Sequence, residues 1–218
     1  VLHMSEILQK LGADVCFADG NVTISSGNAA ERDLSSHLTR ELRSSVFMLG
    51  SVLTRFKHAR ISYPGGCDIG LRPIDLHLFG LKKLGVKTEE RDGYIVCNVE
   101  KLVGANIHLD FPSVGATENI ILASVKAQGE TVITNAAKEP EIRDLQDFLN
   151  QMGAGVRGAG TDTIVVRGVQ RLHGTRFTPI RDRIEAGTFL IACAMCGGEV
   201  CVEGVKRQNI AALINKLS

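Results

Sequence analysis

Apolar residues along the chain fall into two alternating patterns. Leu145, Phe148, Leu149 and Met152 stand three and four residues apart, the spacing of one face of a helix. The segments that begin at Leu8, Leu81 and Leu149 share one layout. An apolar helix closes in Leu-Gly or Met-Gly at Gly12, Gly85 and Gly153, and two short β-rich runs follow around a polar turn. Glycine at a helix end suits the left-handed cap. The layout recurs at intervals of roughly seventy residues, which marks a repeat.

A second layout alternates with the first. Residues 45–63, 117–135 and 187–203 each read as an apolar helix, a short break and a strand, with breaks at His58-Ala59, Gly129-Glu130 and Gly198-Glu199. Joined, one unit is strand, helix, strand, helix, hairpin. Residues 103–168 predict a complete copy: strand 105–110, helix 117–128, strand 131–134, helix 141–152, and β-runs near 155–158 and 162–167. Against this template the first unit begins at its last helix, Leu2 to Leu11. The last unit starts near Phe177 and runs to a helix over Asn209–Leu217. The expectation is an internal piece of a longer repeat protein, because such units bury a face against their neighbours. A domain boundary is expected at Pro179–Asp182, dividing the chain into 1–180 and 181–218.

Composition narrows the classes. Of 218 residues, 44% are hydrophobic and 22% charged, so a core is feasible and disorder is disfavoured. A net charge of +1, with eight Phe, two Tyr and no Trp, supplies neither a basic field nor interleaved aromatics, which argues against nucleic-acid binding. The longest apolar run, Phe189 to Cys196, is far short of a membrane span. Six irregularly spaced cysteines do not make a secreted disulfide scaffold. Cys16, Cys97 and Cys201 lie in strand-like runs and read as small core hydrophobes. Cys193 and Cys196 have CxxC spacing within an apolar helical run, with no second pair and no nearby His, so core packing is expected there and no metal site.

Three loops ahead of helices could carry chemistry. Tyr63 to Asp75 is a long glycine-rich connection with Cys67 at its tip and Pro73 at the expected first helical position. A thiol near Arg72 has a route to a lowered pKa; the alternative is an ordinary exposed thiol. Arg72 at a helix head suits an anion, because guanidinium and helix dipole act together. In Phe111-Pro112-Ser113-Val114, and at Thr117, hydroxyls could meet a ligand or cap the helix. Lys138-Glu139-Pro140-Glu141 reads as a helix start. Arg43, at the head of another helix, points either to an anion or to a solvated surface.

The runs Pro64 to His77, Ser113 to Thr117, Asn135 to Ile142 and Asp182 to Phe189 resemble, in order and spacing, the UDP-N-acetylglucosamine 1-carboxyvinyltransferases. The resemblance extends from Val1 to at least Val205, and its most specific part is the glycine–cysteine loop followed by Arg72-Pro73. It implies the α/β fold of the enolpyruvyl transferases, an inside-out barrel of repeated strand-helix-strand-helix-hairpin units in two lobes. Members are about twice as long as this chain. Residues 1–180 would be most of the continuous lobe and 181–218 the start of the second.

The reaction implied is transfer of the enolpyruvyl group of phosphoenolpyruvate to the 3-hydroxyl of UDP-N-acetylglucosamine, with release of phosphate, at the first committed step of peptidoglycan synthesis. By the same resemblance Cys67 is the proton donor, forms a covalent adduct with substrate and is alkylated by fosfomycin. Arg72 binds the substrate phosphate. Arg43, Arg72, Pro73, Ile74, Asp75, Leu76, Phe111, Pro112, Ser113, Val114 and Glu139 form the nucleotide-sugar site, with Phe111 where some members carry Lys. The implied enzyme needs no metal or organic cofactor, is cytoplasmic and acts as a monomer, with no membrane or nucleic-acid partner. A Lys-Asn pair before Val1, and an Asp and an Arg after Ser218, are expected to complete the site, so the 218 residues alone are expected to be inactive. Two alternatives stand beside this. A transferase acting on shikimate 3-phosphate is opposed by Cys67, and a non-catalytic nucleotide-sugar-binding paralogue by the presence of Cys67 with Arg72.

Overall fold

The computed structural model describes residues 1–30, 43–63 and 73–218. The repeat is present in three dimensions. The described part of its first full copy comprises a 3-10 turn, Arg43–Phe47, leading into α2 (Met48–Phe56), then β3 (His58–Ser62), α3 (Asp75–Lys83), β4 (Lys87–Arg91) and β5 (Tyr94–Asn98). The second comprises β6 (Asn106–His108), α4 (Val114–Ser124), β7 (Glu130–Thr134), α5 (Pro140–Gln151), β8 (Gly155–Arg157) and β9 (Thr163–Arg167). Ahead of them stand α1 (Leu2–Lys10) and a hairpin of β1 (Asp14–Ala18) and β2 (Asn21–Ser25).

The two copies form sheets of matching design. The sheet orders are β3-β5-β4 and β6-β7-β9-β8. The middle strand meets its hairpin antiparallel in the same sense: His58 faces Asn98 and Ser62 faces Tyr94, as Glu130 faces Arg167 and Thr134 faces Thr163. β6 runs parallel to β7, which requires the helical crossover through α4. Alternation sets the buried face: Ile95 and Cys97 on β5, and Ile164 and Val166 on β9, are fully buried. Gly12, Gly85 and Gly153 take φ of 89°, 96° and 93°, the left-handed conformation their helix ends require.

At the centre lies α4, with Ala116, Thr117, Asn119, Ile120, Ile121, Ala123 and Ser124 all buried. A helix apolar on nearly all sides must be covered all round. α2 and α3 cover it, each through a glycine. A Cβ on Gly50 would stand 2.7 Å from the Asn119 carbonyl oxygen, and one on Gly80 would overlap the Ile120 side chain.

Several sequence expectations are corrected. The helix expected over 117–128 spans 114–124, because Ser113 caps it three residues early: its Oγ accepts the Ala116 N–H at 3.3 Å. Pro73 lies two residues before α3, whose first residue is Asp75. The strand expected up to Glu203 is absent, since residues 197–206 carry no strand; a β-run persists only where a neighbour completes its ladder. Cys97 is fully buried as expected, but Cys16 and Cys201 are exposed. Cys196 is exposed too, and Cys193 is half-buried with its thiol on the Gly198 carbonyl at 3.3 Å. Their helix, α6 (Arg183–Cys196), leaves Phe189 and Met195 57% and 81% exposed, because among the described residues only the turn Arg207–Ile210 and α7 (Ala211–Leu217) pack substantially along it.

The segment around the expected boundary is tied back to the second unit. Arg183 donates through Nε and an Nη to both Glu141 carboxylate oxygens at 3.1 and 2.8 Å. The Ile180 N–H meets Asp144 at 3.2 Å, and Phe177 packs on Phe148 with ring centres 5.3 Å apart. No helix among the described residues is long and apolar enough to cross a membrane.

The join between the two ends of a unit makes one test. Gly168 donates to the Gly129 carbonyl at 3.0 Å, and a Cβ there would overlap the Ala127 carbonyl oxygen. Gly168→Ala is expected to cost about 2–4 kcal/mol in denaturant unfolding through backbone overlap. Gly27→Ala, with open space around its Cβ, should change stability by less than about 0.5 kcal/mol.

Candidate active site

Four helix beginnings converge on one cleft of about 940 Å³. Val46 and Phe47 come from the turn before α2; Pro73, Asp75, Leu76 and His77 from the start of α3; Asp110 to Gly115 from the loop and first turn of α4; and Glu139 from the cap of α5. The convergence follows from the repeat. Each unit brings its helix beginnings to the same side, so residues far apart in sequence meet.

Of the residues expected from sequence, Pro73, Asp75, Leu76, Phe111, Pro112, Ser113, Val114 and Glu139 all line this cleft. Ile74 does not; it is 4% exposed and packs in the core. Phe111, 67% exposed, stands at the rim. Cys67 and Arg72 lie outside the described residues, as does the rest of their loop. Arg43 begins the turn that leads to Phe47. Thr117 is no cap and does not line this cleft; it is fully buried, and its hydroxyl accepts the Ala137 N–H at 3.1 Å, holding the Asn135-to-Glu139 loop against α4.

Val46, Phe47, His77, Asp110 and Gly115 also line the cleft and were not singled out from sequence. His77 gave a signal, since it closes the motif run from Pro64. Its ring meets Phe47 edge-on, with centroids 6.1 Å apart at 61°. A Cβ on Gly115 would lie 3.1 and 3.2 Å from His77 Cε1 and Nε2, so glycine makes room for the imidazole.

The beginning of α4 suits an anion. The helix ladder leaves its first N–H groups without acceptors, and Ser113 takes only that of Ala116. The N–H groups of Val114 and Gly115 therefore remain at the cleft wall, at the positive end of the helix dipole. Acids stand nearby. Burial, together with the charges of Glu141 and Glu139, pushes the Glu118 carboxyl up to about 7. Glu141 is held below the usual range by its hydrogen bonds from Arg183. Burial pushes the Cys97 thiol up to about 11, which marks it as an inert core group.

With this geometry in place, comparison with known proteins defines the class. The enolpyruvyl transferase NikO of Streptomyces tendae matches 88% of this chain and 46% of its own, with a TM-score of 0.75 at 24% identity. An EPSP synthase of Acinetobacter baumannii matches 94% of this chain and 48% of its own, at 0.67 and 23%. These likenesses show the α/β fold of the enolpyruvyl transferases. The model of the EPSP synthase family (3-phosphoshikimate 1-carboxyvinyltransferase) matches residues 1–218, and the chain belongs to that family. Within it, the chain is 54% identical over 214 residues to UDP-N-acetylglucosamine 1-carboxyvinyltransferase 2 of Caldanaerobacter subterraneus subsp. tengcongensis. It is 53% identical over 223 residues to UDP-N-acetylglucosamine 1-carboxyvinyltransferase 1 of Symbiobacterium thermophilum. These alignments cover 98% and 100% of the chain. The chain spans about half the length of these relatives, 51% of each.

The Glu118 carboxyl yields a pH test. Folded, it keeps its proton to about pH 7; unfolded, it releases it near 4.5. The folded state therefore holds more protons between these values, and its stability falls as pH rises through that window. Glu118→Gln removes the effect. Its stability relative to the parent should rise from pH 4 to pH 8, by at most about 3 kcal/mol, in urea unfolding at each pH.

Proposed function

We propose that the protein carrying this chain transfers the enolpyruvyl group of phosphoenolpyruvate to the 3-hydroxyl of UDP-N-acetylglucosamine, releasing phosphate, as a cytoplasmic step of peptidoglycan synthesis. One observation carries the reading. Eight residues that the resemblance assigns to the nucleotide-sugar site, drawn from three separate loops, line a single cleft beside a helix N-terminus. The relatives named for this reaction at 54% and 53% identity support it.

The chemistry accounts for the residue types. A proton delivered to the C3 methylene of phosphoenolpyruvate makes C2 electrophilic, and the sugar hydroxyl adds there as its proton passes to a carboxylate base, the Asp expected to complete the site. Loss of a proton from C3 and of phosphate from C2 then restores the double bond in the product. Cys67 supplies the first proton as a general acid and can itself add to C2. Arg72 balances the charge of the phosphate as it departs. The N–H groups of Val114 and Gly115 receive the diphosphate, and Pro73, Asp75 and Leu76 flank the nucleoside. Glu139 stands at the sugar.

Residues 1–180 form most of one lobe and 181–218 begin the second. The exposed apolar side chains of α6 support this, since they need cover that the described residues do not supply. A shikimate 3-phosphate transferase is the second reading, favoured by the family model and opposed by Cys67.

The test is phosphate release by the intact protein with phosphoenolpyruvate and each acceptor. UDP-N-acetylglucosamine should support turnover and shikimate 3-phosphate should not; the reverse overturns the proposal. Cys67→Ala should lower the rate by about 10²-fold or more. Residues 1–218 alone should release no phosphate. Fosfomycin should add its mass to the peptide bearing Cys67, and an adduct on Cys16 or Cys97 instead would refute the site assignment.

A further inference from the structure

The parallel ladder between β6 and β7 can be followed rung by rung. His108 faces Thr134, the Val132 N–H donates to the Ala105 carbonyl at 3.0 Å, and the Leu109 N–H donates to the Thr134 carbonyl at 3.1 Å. In a parallel pair the next rung would join the Ala136 N–H to the Leu109 carbonyl. That rung is not made. Asn135 takes a φ of 53°, in the left-handed region, and the Ala136 N–H reaches the Asp162 carbonyl at 2.9 Å instead. The Asn135 side chain replaces the lost donor: its Nδ2 donates to the Leu109 carbonyl at 2.6 Å.

Asparagine meets both demands of this position. It enters the left-handed region more readily than most residues with a Cβ, and its amide carries donors. Glycine would meet only the first demand. Aspartate tolerates the same backbone, but its ionised carboxylate only accepts.

The place of this tie gives it a consequence. Immediately beyond Leu109 begins the Asp110-to-Gly115 wall of the cleft, and at the far end of the Asn135 loop Glu139 supplies another part of it. Between Asn135 and Glu139 the chain is anchored, since Ala136 and Ala137 are fully buried and the Ala137 N–H donates to Thr117 Oγ1 at 3.1 Å. Glu139 then passes through Pro140 directly into α5. The Asn135 amide thus joins the strand that leads to Asp110 with the loop that ends at Glu139.

We infer that Asn135 is a positioning residue for acceptor binding: by carrying the β6–β7 ladder one rung past its backbone end, it sets how the Glu139 carboxylate stands against the Asp110–Phe111 loop, and so shapes the part of the cleft that takes the sugar of a nucleotide-sugar acceptor. The acceptor role rests on the proposed reading of the cleft; the ladder tie does not. Asn135 itself does not line the cleft, and it acts through the two loops it joins.

The test compares the intact parent protein with two variants. Asn135→Gly keeps the backbone conformation and deletes the donor; Asn135→Asp keeps the conformation and the side-chain size but cannot donate once ionised. At about pH 8, KM for UDP-N-acetylglucosamine is expected to rise about tenfold in both, while KM for phosphoenolpyruvate stays within about twofold. A loss of structure alone would lower kcat and shift both constants together. That result, or two unchanged constants, overturns the positioning role. Hydrogen exchange at the Ala136 and Ala137 amides, read by NMR on free ¹⁵N-alanine-labelled protein, should be about tenfold or more faster in the variants. Parent-like exchange in both variants refutes the tie itself. A parent that does not turn over UDP-N-acetylglucosamine overturns the reading of the cleft and the acceptor role with it; the exchange rates need no ligand and then decide the tie alone. If Asn135→Asp fails to fold, Asn135→Gly gives the same readouts.

Discussion

The burial of α4 is the constraint on which the rest depends. A helix with seven buried positions in eleven residues can exist only if other elements close over it. α2 and α3 do so at the distance that Gly50 and Gly80 permit, and the Asn119 amide satisfies the polar groups trapped where they meet. Leaving that amide without partners would cost on the order of 1–3 kcal/mol, so contact and polar tie stabilise the same geometry. The start of α4 is thereby held between the starts of α2 and α3, and the cleft is the space they enclose.

The site inherits its character from this arrangement. Each unit delivers a helix beginning to the same side, and helix beginnings carry unpaired N–H groups and positive potential. A cleft walled by helix beginnings with positive potential is thus a by-product of stacking these units. The neighbouring acids are managed rather than absent. Glu141 is neutralised by Arg183, and Glu118 retains its proton to about pH 7 because burial and its acidic neighbours oppose its charge.

Much of this was legible in the residues. The glycine-closed helices, the hairpins and the alternation of two layouts followed from periodicity and from turn residues, because these depend on near neighbours in the chain. Eight of the residues to which the motif runs point line one cleft. The misses have a common cause. Thr117, Cys16, Cys201 and the apolar stripe of α6 were misjudged because burial depends on what packs opposite, and local pattern cannot specify it.

What the sequence by itself determined was the repeat, the class of each unit and the family to which its motifs point, all of them properties of short-range pattern. Only the tertiary structure decided that loops ending near Phe47, His77, Ser113 and Glu139 share one cleft, and that the Asn119 amide ties the turn before α2, α2 and α3 to α4. Those facts depend on distances between residues far apart in the chain: Asn119 lies 69 residues from Gly50 and 42 from His77. Close packing around α4 brings them within hydrogen-bonding reach.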